Sequence, residues 1–432
     1  MTRYSESENF LINAEKIIPL GSQTFSKSRT QYPFGISPFF IDHAKGSKVW
    51  DIDGNVYIDL VSALASITLG YGNKSVNKAV KKQLRSGVNF SLPGKLEYEV
   101  SELLVDLVPC AEMVRFGKNG TDATSAAIRL SRSFTNRDHV VVCGYHGWQD
   151  WYIGSTSRNK GVPIVVQELT HQFTYNDEES LRALFVKYPG QIAAVIMEAM
   201  NSTFPKIGFL EKVKEICHAN GALLIFDETI TGFRYSKGGA QELFGVTPDL
   251  ATFGKGMANG FPISAVVGKR EIMMEMEEIF FSSTFGGELL SLAAARTVLE
   301  QHKSGNVTRE LIEIGSKLNN GINVVISNAD MSDVLSLTGH PTWTFLNWNK
   351  TEEFDIPILK TYFMQEMFKK GILVLSTHNV TLSHSDSDLQ RIKDVYREVL
   401  ESMKTYIDDS SLKSRLQAEP LEALFNIRQT GN

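Results

Sequence analysis

The sequence has few cysteines, no long apolar run and no excess of charge of one sign. Its three cysteines, Cys110, Cys143 and Cys217, are too widely spaced for a disulfide framework or a zinc site, so we expect no bound metal. The longest apolar stretch, IAAVIMEAM, contains Glu198 and is too short to span a membrane. The 44 basic residues nearly balance the 49 acidic ones, which predicts neither a nucleic-acid nor a membrane partner. The polar, acidic start lacks a signal-peptide pattern, so we expect a cytoplasmic protein.

Short apolar runs, each ending in a polar or glycine-containing loop, recur through the middle of the chain. They are MVRF (113–116), HVVVC (139–143), QIAAVIME (191–198), ALLIFDE (222–228) and LATF (250–253). Helical patterns such as FLEKVKEICHAN (209–220) lie between them. Strands that alternate with helices predict an α/β fold with a mostly parallel, doubly wound sheet. Ligands of such sheets bind beyond the carboxyl ends of the strands.

The two ends of the chain have a different pattern of apolar runs. VWDIDGNVYIDL (49–60) contains two β-rich runs around Asp53-Gly54 and predicts a hairpin. After about residue 325 the pattern changes to short strands and two helices, which is typical of a smaller α+β domain. We therefore predict an N-terminal segment with the hairpin beside the small domain (1–65), a large domain (66–325) and a C-terminal small α+β domain (326–432).

The stretch LLIFDETITGFR (223–234) places acidic residues where a buried strand ends. A buried aspartate is costly unless it is paired, and one productive partner for Asp227 is a protonated pyridine nitrogen. The charge pair keeps such a ring cationic, so that the ring can absorb electrons from a developing carbanion. Glu228 is expected to make structural hydrogen bonds or a salt bridge. Thr229 is expected on the ring face opposite Tyr145.

Two loops have the composition of a phosphate site and of an aromatic-ring site. FGKNGTDATSAA places Gly120 and Thr121 between a strand and a helix N-terminus, where free N–H groups and the helix dipole favour a phosphate. The alternative is a simple N-cap with a glycine turn.

In CGYHGW, Tyr145 is suited to stack on an aromatic cofactor, and His146 to bond to the cofactor or substrate. The alternative is a packed aromatic loop.

Lys255 lies just past the LATF run, in ATFGKGMANGFP, 28 residues after Asp227. A lysine at a strand end in a partly dry site has a lowered pKa and can form a Schiff base and shuttle protons. A lone GKG would normally be a surface turn. Together with the phosphate loop, the stacking ring and the carboxylate, however, the lysine completes a set that fits one cofactor, pyridoxal 5′-phosphate.

Over nearly its whole length the sequence resembles the class III, fold-type I pyridoxal-phosphate aminotransferases, and within them the glutamate-1-semialdehyde 2,1-aminomutase branch. The stretch 223–268 is the most specific part of the resemblance, which also covers KGSKVWDIDGNVYIDL, FGKNGTDATSAAIRLSR and YHGWQDW. The resemblance implies a homodimer with shared active sites. It implies site roles for Lys255 (Schiff-base lysine), Asp227 (pyridine-nitrogen partner), Asn119, Gly120 and Thr121 (phosphate loop), Tyr145 and His146 (stacking aromatic and its neighbour), Thr229 (ring face), Glu198 and Asn201 (polar groups near the cofactor), and Thr284 (phosphate of the neighbouring subunit).

Several departures from the aminomutase pattern bear on the substrate. Asp122 follows the phosphate loop, Ala199 replaces a proline, and Thr229 replaces the usual valine. Such variants resemble a sub-branch associated with carbohydrate chemistry, whose amino acceptor is an aldehyde or ketone on a sugar. The aromatic residues in YHGWQDW would suit a sugar face or would belong to the core: Trp148, Trp151 and Tyr152.

Three functions remain in competition at this stage. The first is a transaminase that moves an amino group from a donor such as L-glutamate to an oxo-sugar or other carbonyl acceptor. The second is an aminomutase, which moves the amine within one substrate and releases no oxo-acid. The third is a non-catalytic protein with the same fold, against which the retained Lys255 and Asp227 argue. We identify no arginine for a substrate carboxylate, since Arg234 is interpreted as structural.

Overall fold

Strands and helices alternate through the middle of the chain, as the apolar runs predict. The structure, a computed structural model, describes residues 3–421. The strands of this part are β1 (Ile41–Lys45), β2 (Lys48–Asp51), β3 (Val56–Asp59), β4 (Met113–Gly117), β5 (His139–Cys143), β6 (Thr170–Gln172), β7 (Ile192–Met197), β8 (Leu223–Asp227), β9 (Leu250–Phe253), β10 (Ser264–Gly268), β11 (Leu335–His340), β12 (Trp343–Trp348), β13 (Ile372–Leu373) and β14 (Thr377–Asn379).

The helices fall between and after these strands. They are Ser5–Ala14, Ser62–Ala65, Lys74–Leu84, Lys95–Leu107, Gly120–Thr135, Asp150–Ile153, Ile164–Gln167, Glu178–Lys187, Phe209–Ala219, Ala240–Phe244, Arg270–Met273, Leu289–Ser304, Val307–Asn328, Ile356–Lys369 and Asp386–Asp408. Short 3-10 helices occur at Pro19–Gly21, Phe25–Lys27, Lys255–Ala258, Met274–Glu277 and Leu412–Arg415. No helix within residues 3–421 is both long and apolar enough to cross a bilayer.

The described residues form two compact units. One contains residues 74–309, and the other contains residues 3–73 together with 310–421. The assignment of the chain to an N-terminal segment, a large domain and a C-terminal domain with the boundaries given above stays a prediction.

The unit formed by residues 74–309 is built on a seven-stranded sheet with the order β4-β10-β9-β8-β7-β5-β6. The ladders that join β9, β8, β7, β5 and β6 are all parallel, which confirms the predicted sheet. β10 is antiparallel to both of its neighbours, β4 and β9. Every residue of β7, β8 and β9 is buried, which explains why these strands appear in the sequence as continuous apolar runs.

The parallel direction brings the polar ends of five strands to one edge of this sheet. β4, β5, β7, β8 and β9 all end where the sequence changes from apolar to polar or glycine-containing residues. The helix Gly120–Thr135 packs its alanine-rich face on the sheet, where Ala123, Ala126 and Ala127 are almost fully buried. The segments that follow the strands are therefore neighbours in space, although they are far apart in sequence.

The second unit contains two smaller sheets, with strand orders β1-β2-β3-β13 and β11-β12-β14. β2 and β3 are antiparallel, which confirms the predicted hairpin. Gly54 in its turn has a φ of 83°, a conformation that favours glycine.

Candidate active site

Asp227 ends β8 and lies at the centre of a hydrogen-bonded group. Its Oδ2 accepts from His146 Nδ1 at 2.9 Å. Its Oδ1 accepts from the Thr229 hydroxyl at 2.6 Å, the Thr229 N–H at 3.1 Å and the Thr252 hydroxyl at 3.1 Å. Burial works to raise the pKa of Asp227, but the hydrogen bonds from His146 and Thr229 outweigh it and lower that pKa. The carboxylate is thus held ionised although only 5% of Asp227 is exposed.

The predicted phosphate loop follows β4 and leads into the 16-residue helix Gly120–Thr135. The helix begins at Gly120, so Gly120 and Thr121 belong to its first turn. Asp122 Oδ2 accepts the N–H groups of Lys118 and Asn119 at 2.9 and 2.8 Å, so its carboxylate is bound behind the loop. The remaining N–H groups of the first turn favour an anion.

The loop CGYHGW packs against this helix N-terminus. A Cβ on Gly147, whose φ is 108°, would lie 2.5 Å from Thr121 Oγ1. The backbone oxygen of His146 accepts from the Thr124 hydroxyl at 2.9 Å. Tyr145 is partly exposed, and its ring stands perpendicular to that of Tyr152, with ring centroids 5.7 Å apart.

Thr121 Oγ1 and His146 Nε2 are buried and have no hydrogen-bond partner among the described residues. Buried polar atoms in folded proteins are normally paired. An unpaired hydroxyl beside a helix N-terminus is suited to a phosphate oxygen. The carboxylate and these two atoms therefore fit a group that has both a phosphate and a protonated ring nitrogen.

Lys255 begins a 3-10 helix two residues after β9 ends. Thr252 of β9 pairs with Asp227 of β8, so the lysine and the aspartate follow adjacent strands at the same edge of the sheet. Lys255 is partly buried and has a φ of 39°, which is unusual for a residue with a side chain. Such strained backbone is found mainly at functional sites.

The other predicted residues differ in how closely they associate with this group. Glu198 Oε2 accepts from the Tyr145 N–H at 3.4 Å, which ties the end of β7 to the aromatic loop. Asn201 is buried, and its Oδ1 accepts from the N–H of Ser202 in its own turn. Thr284 is exposed, and its backbone oxygen accepts from Asn89 at 3.2 Å. Neither Asn201 nor Thr284 makes any of the contacts described above with the other predicted residues.

Two hydroxyls near the site are absent from the sequence-based prediction. Thr252 donates to Asp227, and Ser264 Oγ is buried without a partner among the described residues. Ser264 begins β10, and its Oγ lies 2.9 Å from the position of a Cβ on Gly117. Both residues belong to apolar runs, and a polar residue inside such a run at the carboxyl edge is the signal that would have found them.

The neighbouring aromatic and charged residues divide between core and surface. Trp151 and Tyr152 belong to the core. Trp151 Nε1–H donates to Ser125 Oγ, and the Tyr152 hydroxyl donates to the Gly144 backbone oxygen. Trp148 is exposed. Glu228 accepts from the N–H groups of Ala240 and Gln241 and from Thr231, which are the structural hydrogen bonds predicted for it. These contacts keep Glu228 away from the Asp227 group.

The family model for aminotransferase class-III matches residues 32–405. The chain belongs to the class III aminotransferases. It is 33% identical over 412 residues to the 3-aminobutyryl-CoA aminotransferase of Cloacimonas acidaminovorans, with coverage of 93% of this chain and 98% of that protein. It is 34% identical over 427 residues to the glutamate-1-semialdehyde 2,1-aminomutase of Alkaliphilus oremlandii, with coverage of 92% and 99%.

Solved structures agree with this membership. The FumI protein of Sphingopyxis sp. MTA144, determined in its PLP internal aldimine form, is 26% identical to this class III aminotransferase. Its TM-score is 0.87, with coverage of 96% of this chain and 99% of that chain. A glutamate-1-semialdehyde aminomutase from Pseudomonas aeruginosa has a TM-score of 0.81 at 21% identity, with coverage of 92% and 94%, and is similar in fold. These similarities confirm the predicted fold class, the fold-type I transferases.

Proposed function

We propose that this class III aminotransferase moves an amino group from an amino-acid donor such as L-glutamate to an aldehyde or ketone acceptor. The observation that carries the proposal is the buried Asp227 carboxylate at the carboxyl edge of the sheet, one strand from Lys255. Three donors occupy its Oδ1, whereas His146 alone among the described residues donates to Oδ2. Oδ2 thus retains an acceptor position for a protonated ring nitrogen.

The cofactor is pyridoxal 5′-phosphate, which when bound supplies the electron sink that the reaction needs. Asn119, Gly120 and Thr121 would hold its phosphate, because the Thr121 hydroxyl is buried without a partner in the described chain and lies at a helix N-terminus. Tyr145 and Thr229 would lie against the two ring faces. Glu198 and Asn201 would support the loops around the ring.

Lys255 would attach the cofactor and carry the proton between carbon positions in both halves of the reaction. Its place between Gly254 and Gly256 supports this role, because residues without side chains leave room for a bound group beside the lysine. His146 would act on the reaction through Asp227, to which its Nδ1 is bonded, and not through the substrate.

We further propose that the acceptor is sugar-like and that the protein acts in carbohydrate or secondary-metabolite biosynthesis. The departures at Asp122, Ala199 and Thr229 from the aminomutase pattern support this proposal, as does the exposed Trp148. Trp151 and Tyr152 give it no support, because both are packed in the core. Arg234 is fully buried and does not offer a surface guanidinium for a substrate carboxylate.

An aminomutase of the glutamate-1-semialdehyde type is the second candidate. Curated relatives of that name are 32–35% identical to the chain over most of its length, which is as high as the identity to the named aminotransferase. Both reactions would use Lys255 and Asp227 in the same way. They differ in whether an oxo-acid leaves the enzyme.

A half-reaction distinguishes the candidates. The enzyme in its pyridoxal form is mixed with L-glutamate without acceptor, and released 2-oxoglutarate is counted. A transaminase should release about one equivalent per site, because the two halves of the exchange are separable. An aminomutase should release none with glutamate or other common donors, but should convert glutamate 1-semialdehyde without an added donor. Lys255→Ala is expected to abolish either reaction, and normal turnover by this variant would overturn the catalytic assignment and revive the non-catalytic reading.

We propose that the enzyme is a cytoplasmic homodimer whose sites are completed by Thr284 of the neighbouring subunit. Thr284 lies in an exposed segment with Phe280 and Phe285, which are 82% and 57% exposed. Arg129 donates to the Phe280 backbone oxygen at 2.7 Å and Phe281 packs against the core, so this segment is held in place while Phe280 and Phe285 are exposed. An apolar surface that is fixed in place is typical of a permanent interface.

The dimer is tested with Phe285→Asp and a matched control. Ile207→Asp places the same charge on another exposed apolar residue. Light scattering after gel filtration should show a monomer for Phe285→Asp and a dimer for the wild type and for Ile207→Asp. A monomeric wild type would refute the dimer proposal without affecting the assignment of the cofactor.

A further inference from the structure

Thr229 contacts both the carboxylate and the backbone around the site. Its hydroxyl donates to Asp227 Oδ1 at 2.6 Å, and its N–H donates to the same oxygen at 3.1 Å. A Cβ on Gly120 would lie 3.0 Å from Thr229 Cγ2, and a Cβ on Gly254 would lie 3.4 Å from it. The methyl group thus lies between the phosphate loop and the residue that precedes Lys255.

The two ends of this side chain meet different requirements. The hydroxyl hydrogen-bonds to a buried anion, where a charge-assisted hydrogen bond is strong and its absence is costly. The methyl group presents apolar surface between two glycines, where there is room for little else. Valine, which has nearly the same shape, would preserve the methyl contacts and lose the hydroxyl, whereas serine would preserve the hydroxyl and lose the methyl contacts.

We propose that Thr229 is a positioning residue with two separable roles toward the bound cofactor. Its hydroxyl holds the Asp227 carboxylate charged and oriented, with Oδ1 occupied and Oδ2 directed to the ring nitrogen. Its methyl group would make the ring-face contact already proposed above for this residue, so the hydroxyl role is the new one. This inference rests on the proposed function, because it requires the ring of pyridoxal phosphate at Asp227.

The hydroxyl role follows from the opposing effects of burial and hydrogen bonding on the charge of Asp227. Burial disfavours the charged form, and the donors from His146 and Thr229 restore it. Removal of one donor raises the pKa of the carboxylate. A protonated Asp227 is neutral and no longer attracts a protonated ring nitrogen. The affinity for the cofactor ring should then be lost at a higher pH in a variant without the hydroxyl.

The experiment uses apoenzyme and pyridoxamine 5′-phosphate, which has the ring and phosphate of the cofactor but cannot condense with Lys255. Its Kd is measured by fluorescence between pH 4 and 8 for wild type, Thr229→Val and Thr229→Ser. The ratio of variant to wild-type Kd at each pH cancels the titration of the ligand's own phosphate. Thr231→Val serves as matched control, because Thr231 is a buried threonine that donates to the neighbouring carboxylate, Glu228.

Thr229→Val should match wild type near pH 8, and its Kd relative to wild type should rise by up to about fivefold as the pH falls to 4, because loss of the hydrogen bond raises the pKa of Asp227 from its lowered value. Thr229→Ser should bind several-fold more weakly at every pH, because only apolar contact is lost. Thr231→Val should follow the wild-type profile even if its melting temperature falls.

The outcomes separate the inference from the function on which it rests. Wild-type apoenzyme that does not bind pyridoxamine phosphate would refute the proposed function itself. If wild type binds pyridoxamine phosphate but the Kd profiles of Thr229→Val and Thr229→Ser against pH superimpose, the assignment of two roles to Thr229 would be overturned. A pH-dependent ratio for Thr231→Val would show that any lost hydroxyl in this region has the same effect, and would likewise overturn it.

Discussion

Lys118 Nζ lies 2.9 Å from Glu288 Oε2 and joins the loop before the helix Gly120–Thr135 to the residue that caps the helix Leu289–Ser304. Only 17% and 13% of the two side chains are exposed. Burial works to raise the pKa of Glu288, but hydrogen bonds from Ser291 and Lys118 outweigh it and lower that pKa. The pair is therefore better shielded from solvent than most ion pairs in this unit.

Lys118→Met should lower the free energy of unfolding by about 2 kcal/mol at neutral pH, because it leaves a largely buried carboxylate without its cation. Glu288 has a lower pKa folded than unfolded, so its contribution is present above the unfolded value and is lost as the pH falls through the folded value. The difference in the free energy of unfolding between Lys118→Met and wild type should therefore become smaller below about pH 4. Urea unfolding across pH measures it. The control Lys95→Met removes an exposed pair with Glu99 and should cost less than about 0.5 kcal/mol.

Gly147→Ala should weaken the affinity for pyridoxal phosphate by at least about tenfold, because the new Cβ would displace the Thr121 hydroxyl from the phosphate loop. Gly161→Ala is the matched control. Gly161 has a φ of 91°, similar to the 108° of Gly147, but its Cβ would meet nothing within 4 Å. Both variants should lose about 1 kcal/mol of stability from backbone strain, and Gly147→Ala should lose more because its Cβ also meets Thr121. Only Gly147→Ala should lose affinity. Equal affinities in fluorescence titrations of the two apoenzymes would contradict the placement of the phosphate.

Asp227→Asn should slow the release of 2-oxoglutarate by about 100-fold or more, since a neutral amide cannot stabilise a protonated ring nitrogen. The rate is measured in single turnovers and normalised to bound cofactor. Asp249→Asn tests whether any buried aspartate of the sheet has this effect. Asp249 accepts from His218 and Lys269 and should cost stability while leaving the single-turnover rate within about threefold of wild type.

The His139–His171 pair should make the apoenzyme less stable as the pH falls. Their ring nitrogens lie 2.8 Å apart, and burial, with smaller effects from His139 and Lys187, lowers the pKa of His171 to about 4. Unfolded chains take up the proton near pH 6.5, whereas the folded protein resists it until about pH 4, so stability is lost between these values. His171→Gln should reduce that loss by roughly 1 kcal/mol, discounted for the partly exposed ring. An equal loss of stability between pH 6.5 and pH 4 in wild type and in His171→Gln would contradict this prediction.

The predictable parts of the site are those with a local signal. Asp227 and Lys255 each follow a fully buried apolar run, and the parallel direction of those runs is enough to place them at one edge. The phosphate loop has its glycine and a helix pattern directly after it. The helix start at Gly120 is harder to predict, because the capping box of Asn119 has Asp122 where the usual pattern has glutamate or glutamine.

The parts that could not be predicted depend on partners distant in sequence. The Thr252 hydroxyl meets Asp227 across two adjacent strands, 25 residues away. From the sequence, Trp151 and Tyr152 are equally suited to a sugar face or to the core. Their place in the core depends on Ser125 and Gly144, which accept hydrogen bonds from them. β10 lies between β4 and β9, a position that no local pattern specifies, since the strand order depends on non-local pairing.

The strand order also has a consequence for how the protein is made. β4 is an edge strand whose partner in the described sheet is β10, and Met113 pairs with Gly268. During synthesis, β4 therefore waits without its partner while about 150 residues are added, which takes roughly ten seconds or more at common ribosome speeds. The phosphate loop follows β4 directly and cannot be fixed in place before that pairing. The phosphate loop, which leaves the ribosome before the other parts of the site, is thus among the last parts able to bind the cofactor. Until β10 pairs with β4, the unpaired strand edge is open to aggregation.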